Sequence, residues 1–255
     1  MPKLKNRIAV ITGGAGGIGI ATAKRFTEEG AYVMLVDQDE QALKEAIASI
    51  PSDALSYTVA DVTQAEDVER YVEVAIERYD HIDIFLNNAG IEGQINPIAD
   101  YAIESFDQVM AVNIRGVWLG LKYVIPQMQK RKSGSIIITS STAGLKGSAG
   151  MSAYVTSKHA VIGMMRCAAL ECAQSGIRVN TVNPSPTETR MMRSIEKQGR
   201  PDSPEGVKKS LTDWIPQRRY NDPEDVANMM LFLASDESTA CTGGVYMVDG
   251  GVSAR

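Results

Sequence analysis

A glycine-rich stretch near the start of the chain constrains its fold more than any other feature. The apolar run Arg7–Thr12 predicts a strand, Gly13–Gly19 predicts a tight turn, and a helical pattern follows to about Glu29. Between a strand and a helix, glycines let the backbone approach a pyrophosphate, and the helix N-terminus presents free N–H groups to it. We therefore expect a dinucleotide-binding unit here rather than an ordinary loop.

The rest of the chain continues this alternation of strands and helices. Six further strands are predicted, at residues 31–36, 55–60, 82–86, 135–139, 177–182 and 243–248. No linker, repeat or low-complexity tract interrupts the 255 residues. The pattern predicts a single domain, residues 1–255, with an α/β, Rossmann-type doubly wound fold. Helices are expected on both faces of a seven-stranded parallel sheet.

Composition and charge exclude several classes of function. A net charge of −5 and a pI of about 5.2 argue against binding to nucleic acid or to an anionic membrane. No apolar run approaches the roughly 18 residues that a membrane span requires. The three cysteines and two histidines lack metal-ligand spacing, so we expect no metal site. A reducing cytoplasm is the expected location.

Asp37 ends the second predicted strand, about 20 residues beyond the glycines. A carboxylate at that place accepts hydrogen bonds from the adenosine ribose hydroxyls and repels a 2′-phosphate. No Arg or Lys lies in the glycine turn or at positions 38–40 to receive such a phosphate, so we expect NAD rather than NADP. Asp37 could also cap the helix that begins near Asp39, and the two roles are compatible.

Polar turns follow the next two central strands, at the edge where open α/β sheets bind ligands. Asn87–Gly90 follows the fourth strand and Ser140–Gly144 follows the fifth. Between them, Asn113 interrupts an apolar helical stretch from about Ile103 to Gln129. A buried amide must find partners, and a helix kink or a helix–helix hydrogen bond is the simplest interpretation.

Tyr154 and Lys158 lie four residues apart and share one face of a predicted helix. A phenol has an unperturbed pKa of about 10, and a nearby ammonium lowers that pKa. A tyrosine adjusted in this way can exchange a proton with an alcohol or a ketone near neutral pH. Taken alone, such a pair is more often a half-buried ring with a lysine lying over it.

The stretch from Pro186 to Arg219 interrupts the regular alternation. It is charged, bears methionines and prolines, and has weak periodicity. A segment of that length at the ligand end of the sheet predicts a lid at about 186–219. Asp222 and Pro223 then begin a helix that is predicted to run to about Ala234.

Together these motifs resemble the short-chain dehydrogenase/reductase family over essentially the whole chain. The resemblance implies that Tyr154 is the general acid–base on the substrate oxygen and that Ser141 hydrogen-bonds that oxygen. It implies that Lys158 lowers the tyrosine pKa and holds the nicotinamide ribose. Asn113 would fix a water that links Lys158 to solvent as a proton relay. The implied reaction is NAD-dependent interconversion of a secondary alcohol and a ketone, with a small molecule as substrate.

The resemblance also implies the residues that hold the cofactor. They are Gly13, Gly17, Ile18, Gly19, Asp37, Asp61, Val62, Asn87, Ala89, Gly90, Tyr154, Lys158, Pro184, Thr187 and Thr189. The chain departs from the family pattern at Ser185, where glycine is usual, and at Thr187, where an aliphatic residue is usual. A hydroxyl at either place could bind a polar substrate group. The expected substrate contacts are Ser141, Tyr154, Glu92, Ser185 and Met191.

Two other functions are compatible with such a fold. A catalytically silent nucleotide-binding sensor or scaffold usually lacks the tyrosine or the lysine, and both are present here. An epimerase or dehydratase usually carries a larger substrate domain. The helix from about Ser152 is apolar on most sides, which suggests a partner subunit. A second expected contact with another subunit is formed by residues of the long helical stretch, namely Trp118, Leu119, Leu121, Tyr123 and Val124. Because the family is commonly tetrameric, we expect a homo-oligomer, most simply a tetramer.

Overall fold

The computed structural model describes residues 2–255 and contains a seven-stranded sheet. The strands are β1 (Ile8–Thr12), β2 (Tyr32–Asp37), β3 (Leu55–Val59), β4 (Ile84–Asn87), β5 (Gly134–Thr139), β6 (Ile177–Pro184) and β7 (Val245–Val248). The main helices are α1 (Gly17–Glu28), α2 (Glu40–Ser49), α3 (Ala65–Tyr79), α4 (Ile103–Met110), α5 (Val117–Arg131), α6 (Ser152–Cys172), α7 (Arg190–Gly199), α8 (Pro204–Trp214) and α9 (Pro223–Ala234). Every strand lies within two residues of its predicted bounds.

All seven strands run parallel in the order β3-β2-β1-β4-β5-β6-β7. The chain starts in the middle at β1, winds outward to β3, crosses to β4 beside β1, and winds outward again to β7. This order confirms the predicted doubly wound fold. The connections leave β1 and β4 in opposite directions, which opens a crevice at their carboxyl ends.

Each central strand is buried on both faces, which explains why its sequence is almost continuously apolar. On one face, Val10 and Ile136 belong to a core that α3, α5 and α6 complete. On the other face, Ile11 and Ile137 pack with α1, α2 and α9. Burying one such aliphatic side chain contributes roughly 1.5–3 kcal/mol to stability. The two cores hold the carboxyl ends of the strands in fixed positions beneath the crevice.

The stretch predicted from Ile103 to Gln129 is continuously helical, but its centre is not α-helical. A π-helical turn, Ala111–Gly116, joins α4 to α5 and contains Asn113. The second expected subunit contact, on α5, is only partly correct. Leu119, Leu121 and Val124 lie in the chain's own core, whereas Trp118 remains exposed.

The predicted lid segment contains α7 and α8, which pack around a small apolar cluster of their own. Met192 and Ile215 from this segment contact Tyr220 and Val252 there. The predicted start of α9 is confirmed, with Asp222 as the N-cap in a capping box. Across residues 2–255, no helix combines the length and the apolar character needed to cross a membrane.

Candidate active site

A cavity of about 1000 Å³ lies at the carboxyl ends of the strands and extends from the glycine turn to Tyr154. The predicted site residues that line it are Gly13, Gly17, Ile18, Asp37, Asp61, Val62, Ala89, Gly90, Glu92, Ser141, Tyr154, Lys158, Pro184, Ser185, Thr187, Thr189 and Met191. Three other predicted residues, Gly19, Asn87 and Asn113, do not line this cavity. The fold thus brings most of the predicted set into one space.

The glycine turn forms a narrow backbone cradle. Gly13 has a φ of +62°, and a Cβ atom there would lie 2.9 Å from the Cα of Ala89. A Cβ at Gly19 would collide with the Gly13 carbonyl oxygen. The Asn88 amide crosses between the β4 and β1 turns and donates to the carbonyl oxygens of Thr12 (3.1 Å) and Gly13 (3.3 Å). This cradle at the N-terminus of α1 fits a dinucleotide pyrophosphate.

Asp37 lies at the edge of this cradle and does not cap α2. Its Oδ2 accepts a hydrogen bond from the Ala15 N–H at 3.3 Å, and its Oδ1 accepts one from the Asp39 N–H at 3.4 Å. Asp39 is the N-cap of α2, because its carboxylate accepts from the Ala42 N–H at 3.0 Å. The capping alternative therefore belongs to Asp39, and the Asp37 carboxylate faces the cavity.

The sequence predicts that Asn87 holds the cofactor, but its side chain does not line the cavity. The residue is only 2% exposed, and its Nδ2 donates to the Val117 carbonyl oxygen at 2.9 Å. This contact joins β4 to α5. Successive side chains at a strand end point to opposite sides, so Asn88 faces the cavity instead. The sequence marks both asparagines equally and does not reveal which one faces inward.

The reaction end of the cavity is built by α6 and by the end of β5. The Lys158 Nζ lies 5.5 Å from the centre of the Tyr154 ring and donates to the Thr139 carbonyl oxygen at 2.9 Å. Ser141 lies two residues beyond the end of β5, and its Oγ accepts from the Ala143 N–H at 3.1 Å. The Thr139 carbonyl is a contact that no sequence pattern marks, because any residue supplies a main-chain acceptor.

Burial dominates the electrostatics of this pair. It raises the pKa of Tyr154 to about 12, while the Ser141 hydroxyl acts in the opposite direction and the Glu92 carboxylate adds to the rise. It also lowers the pKa of Lys158 to about 8. Both effects disfavour the charged form. The pKa of Tyr154 in the chain alone is therefore higher than its ordinary value, and the lowering of that pKa by Lys158 stays a prediction.

Asn113 lies behind the cavity wall and is fully bonded. Its Oδ1 accepts from the Ile91 N–H at 2.9 Å, and its Nδ2 donates to the Ile91 carbonyl oxygen (2.9 Å) and the Ser157 Oγ (3.0 Å). These bonds tie the π-helical turn to α6 and to the chain after β4. The space between Asn113 and Lys158 suits a glycine at position 90, because a Cβ there would lie 3.3 Å from the Asn113 Oδ1 and 3.4 Å from the Lys158 Nζ. The water relay stays a prediction.

The hydroxyls at the two unusual positions are partly engaged within the protein. Thr187 donates its hydroxyl to the Ser185 carbonyl oxygen at 2.9 Å. The Ser185 Oγ accepts from the Asn221 Nδ2 at 3.2 Å. Substrate contacts by the hydroxyls of Ser185 and Thr187 stay predictions. Glu92 and Met191 line the cavity.

Comparisons with known proteins agree with this geometry. A family model described as "Enoyl-(Acyl carrier protein) reductase" matches residues 13–253. Levodione reductase from Leifsonia aquatica is 37% identical over 99% of this chain and 96% of that protein. The chain belongs to the short-chain dehydrogenase/reductase family. It is accordingly an oxidoreductase that acts on CH–OH or carbonyl groups and uses a nicotinamide cofactor.

Further relatives support the same assignment. The 2,5-dichloro-2,5-cyclohexadiene-1,4-diol dehydrogenase LinX from Sphingobium indicum is 39% identical over 98% of both chains. The crystal structure of levodione reductase superposes with a TM-score of 0.97, at 37% identity over 98% of this chain and 99% of that one. NAD⁺-bound xylitol dehydrogenase gives a TM-score of 0.92, at 34% identity over 98% of this chain and 100% of that one.

Proposed function

We propose that this family member is an NAD-dependent oxidoreductase that interconverts a secondary alcohol and a ketone, with Tyr154 as the general acid–base. One observation carries the proposal: the glycine cradle, Asp37, Ser141, Tyr154 and Lys158 all line the same cavity. A sensor or scaffold would need the cradle but not the three reactive side chains at the other end.

The preference for NAD rests on Asp37. Its carboxylate borders the cavity beside the glycine turn, where the ribose hydroxyls of adenosine would lie. A 2′-phosphate placed there would be repelled, and removing a hydrogen bond to a charged group costs about 1.5–3 kcal/mol. Replacement of Asp37 by Ala should weaken NAD⁺ binding about 10- to 100-fold and should tighten NADP⁺ binding. Tighter binding of NADP⁺ than NAD⁺ by the wild type in a direct titration would refute the preference.

The chain's own residues supply proton transfer and orientation. A bound nicotinamide ring accepts the hydride from an alcohol or donates one to a ketone. Tyr154 gives its phenol proton to the oxygen of a ketone as that oxygen gains charge, and takes the proton back when an alcohol is oxidised. Ser141 lines the same wall and donates a hydrogen bond to that oxygen. Lys158 is fixed by the Thr139 carbonyl and keeps a positive charge beside the phenol.

We propose that residues 186–219 act as the substrate lid. Met191, Ile195, Leu211 and Trp214 of this segment line the cavity, which favours a substrate with an apolar ring or chain. The relatives are named for a dione, a diol and a sugar alcohol, and each of these compounds carries at least two oxygens. The Glu92 carboxylate, which lies close enough to raise the Tyr154 pKa, is suited to accept a hydrogen bond from a second hydroxyl.

The proposal is tested by following NADH formation over cyclic and linear secondary alcohols, diols and polyols. We expect turnover with at least one cyclic diol or hydroxyketone and a higher kcat/KM with NAD⁺ than with NADP⁺. Replacement of Glu92 by Gln should raise KM for a diol more than for the matching mono-alcohol. Tight NADH binding without turnover across the whole panel would instead favour a sensor.

A further inference from the structure

Arg190, the first residue of α7, reaches back to the glycine turn. Its Nη2 donates to the Ala15 carbonyl oxygen at 3.0 Å, across a separation of 175 residues in sequence. Arg190 lines both the main cavity and a neighbouring groove of about 490 Å³, and Gly17 and Thr189 line both as well. The guanidinium therefore lies where the lid segment meets the cradle.

Two helix N-termini converge at this junction. Gly17 begins α1, and a Cβ there would lie 3.0 Å from the Thr189 Cγ2. Thr189 is the N-cap of α7, with its hydroxyl accepting from the Met192 N–H at 3.4 Å. A helix N-terminus carries about half a positive charge. The dipoles of α1 and α7 and the Arg190 guanidinium thus place positive potential at one point of the cavity.

Two other cations of the lid segment, Arg193 and Lys208, are paired with carboxylates. Arg193 pairs with Glu188 at 2.6 Å and with Glu196 at 3.1 Å, and Lys208 pairs with Glu188. Within residues 2–255, Arg190 has no carboxylate oxygen within 4.0 Å, and the Ala15 carbonyl is its one side-chain acceptor. A guanidinium has five N–H donors, so most of those on Arg190 remain available to an anion.

We propose that Arg190 binds the cofactor pyrophosphate and thereby fastens the start of the lid segment to the bound dinucleotide. This inference rests on the proposed function. The pyrophosphate is the matching anion because Arg190 meets the cradle beside the N-terminus of α1. A 2′-phosphate is excluded from the neighbouring ribose position by the Asp37 carboxylate. The sequence alone does not reveal this role of Arg190, because the residue lies far from the glycine turn along the chain.

Calorimetric titration separates the pyrophosphate from the rest of the cofactor. The probes are NADH, ADP-ribose, which keeps the pyrophosphate but lacks nicotinamide, and adenosine, which has no phosphate. Replacement of Arg190 by Gln should raise the Kd of NADH and of ADP-ribose by a similar factor, about 10-fold, and leave adenosine binding unchanged. Replacement by Lys should restore part of the loss, because Lys keeps the charge without the planar fork.

The matched control is Arg200→Gln, which removes the same charge just beyond the C-terminus of α7. It should bind all three probes as the wild type does. ADP-ribose binding by Arg190→Gln at the wild-type Kd would overturn the inference while leaving the proposed function intact. A loss confined to NADPH, titrated alongside these probes, would overturn it in favour of a 2′-phosphate contact. A wild type that binds no NADH would overturn the proposed function and this inference together.

Limited proteolysis tests separately whether the bound cofactor holds the lid segment in place. Trp214 at the end of α8 is 42% exposed and offers a chymotrypsin site within the lid segment. Saturating NADH should slow cleavage there several-fold in the wild type and in Arg200→Gln, but much less in Arg190→Gln. Equal protection of all three proteins at saturating NADH would show that Arg190 does not link the cofactor to the lid.

Discussion

Burial shifts the two titrating groups of the reaction centre in directions that favour their neutral forms. It holds the pKa of Tyr154 at about 12 and that of Lys158 at about 8. The phenol of the chain alone is consequently protonated at neutral pH, which is the form that donates a proton to a ketone. Oxidation of an alcohol needs the phenolate, so in that direction the ammonium of Lys158 must favour deprotonation of Tyr154.

The lowered pKa of Lys158 makes a contribution to stability that depends on pH. Below about pH 8, both the folded and the unfolded chain hold the lysine proton, and the cost of burying the ammonium is fully present. Between the folded pKa of about 8 and the unfolded value of about 10.4, only the unfolded chain keeps that proton, so the free energy of unfolding rises with pH. Relative to Lys158→Met, the wild type should gain about 2 kcal/mol between pH 7 and pH 9.5.

Urea denaturation of the ligand-free proteins at several pH values measures this difference. The raised pKa of Tyr154 acts in the opposite sense only above about pH 10, outside the window. The exposed Lys24, replaced by Met, serves as the control and should show no such trend. A difference between wild type and Lys158→Met that stays constant from pH 7 to pH 9.5 would contradict the account.

The roles of single residues could be predicted where the chemistry requires a particular residue type. They could not be predicted where the role depends on a main-chain atom or on a contact between residues far apart in sequence. Asp37, Tyr154 and Lys158 could be recognised because their types and spacing imply a role. The inward position of Asn88 could not, because the two asparagines of that turn differ only in the side of the strand end that they face. Arg190 could not either, because its partner Ala15 is close only in the folded chain.

At the scale of elements, the π-helical turn is the link between the cavity wall and the helix layer. Asn113 within it makes three side-chain bonds, two of them to the main chain of Ile91. Removal of a partner from a buried polar group costs roughly 1–3 kcal/mol. Replacement of Asn113 by Ala should therefore lower the free energy of unfolding by roughly 2–4 kcal/mol.

Chemical denaturation of the ligand-free chain measures that loss. Asn228→Ala, a change on the exposed face of α9 where the amide accepts from Arg25, should cost well under 1 kcal/mol. If Asn113→Ala and Asn228→Ala have the same stability, Asn113 does not hold the turn. Its bond to Ser157 also explains why an amide is needed here, since it must donate and accept at once.

Strand positions could be predicted closely because buried parallel strands are short apolar runs between turns. The lid segment could be located but not its helices. The apolar stripes of α7 and α8 comprise only about three residues each among many charged ones, which is too short a pattern for the helices to be recognised from the sequence. Likewise the sequence predicts too large a subunit contact on α5. The apolar character of a residue does not show whether it packs within its own chain or against another subunit.

For the whole molecule, large apolar side chains remain exposed on three helices. Ile103, Phe106 and Trp118 lie on α4 and α5, and Leu170, which is 82% exposed, lies on α6. Exposed apolar residues of this kind are typical of a surface that contacts another subunit. We predict a homotetramer, and Trp118→Lys and Leu170→Lys should each shift it toward smaller species.

Sedimentation velocity at micromolar concentration distinguishes these states. Tyr32→Lys is the control, because Tyr32 is 45% exposed on β2, outside these three helices, and should leave the tetramer intact. A wild type that sediments as a monomer would contradict the predicted assembly without affecting the chemistry of the cavity.

In the proposed reaction, Tyr154 exchanges the proton while the rest of the cavity holds the cofactor. The most direct measurement compares Tyr154→Phe with the wild type, in NADH binding by titration and in turnover of the best alcohol from the screen. Because the phenol contributes only its hydroxyl, NADH binding should stay within about 3-fold, while kcat falls about 10²–10⁴-fold. The half-buried Tyr123, replaced by Phe, should change neither quantity. Near wild-type turnover by Tyr154→Phe would contradict the account.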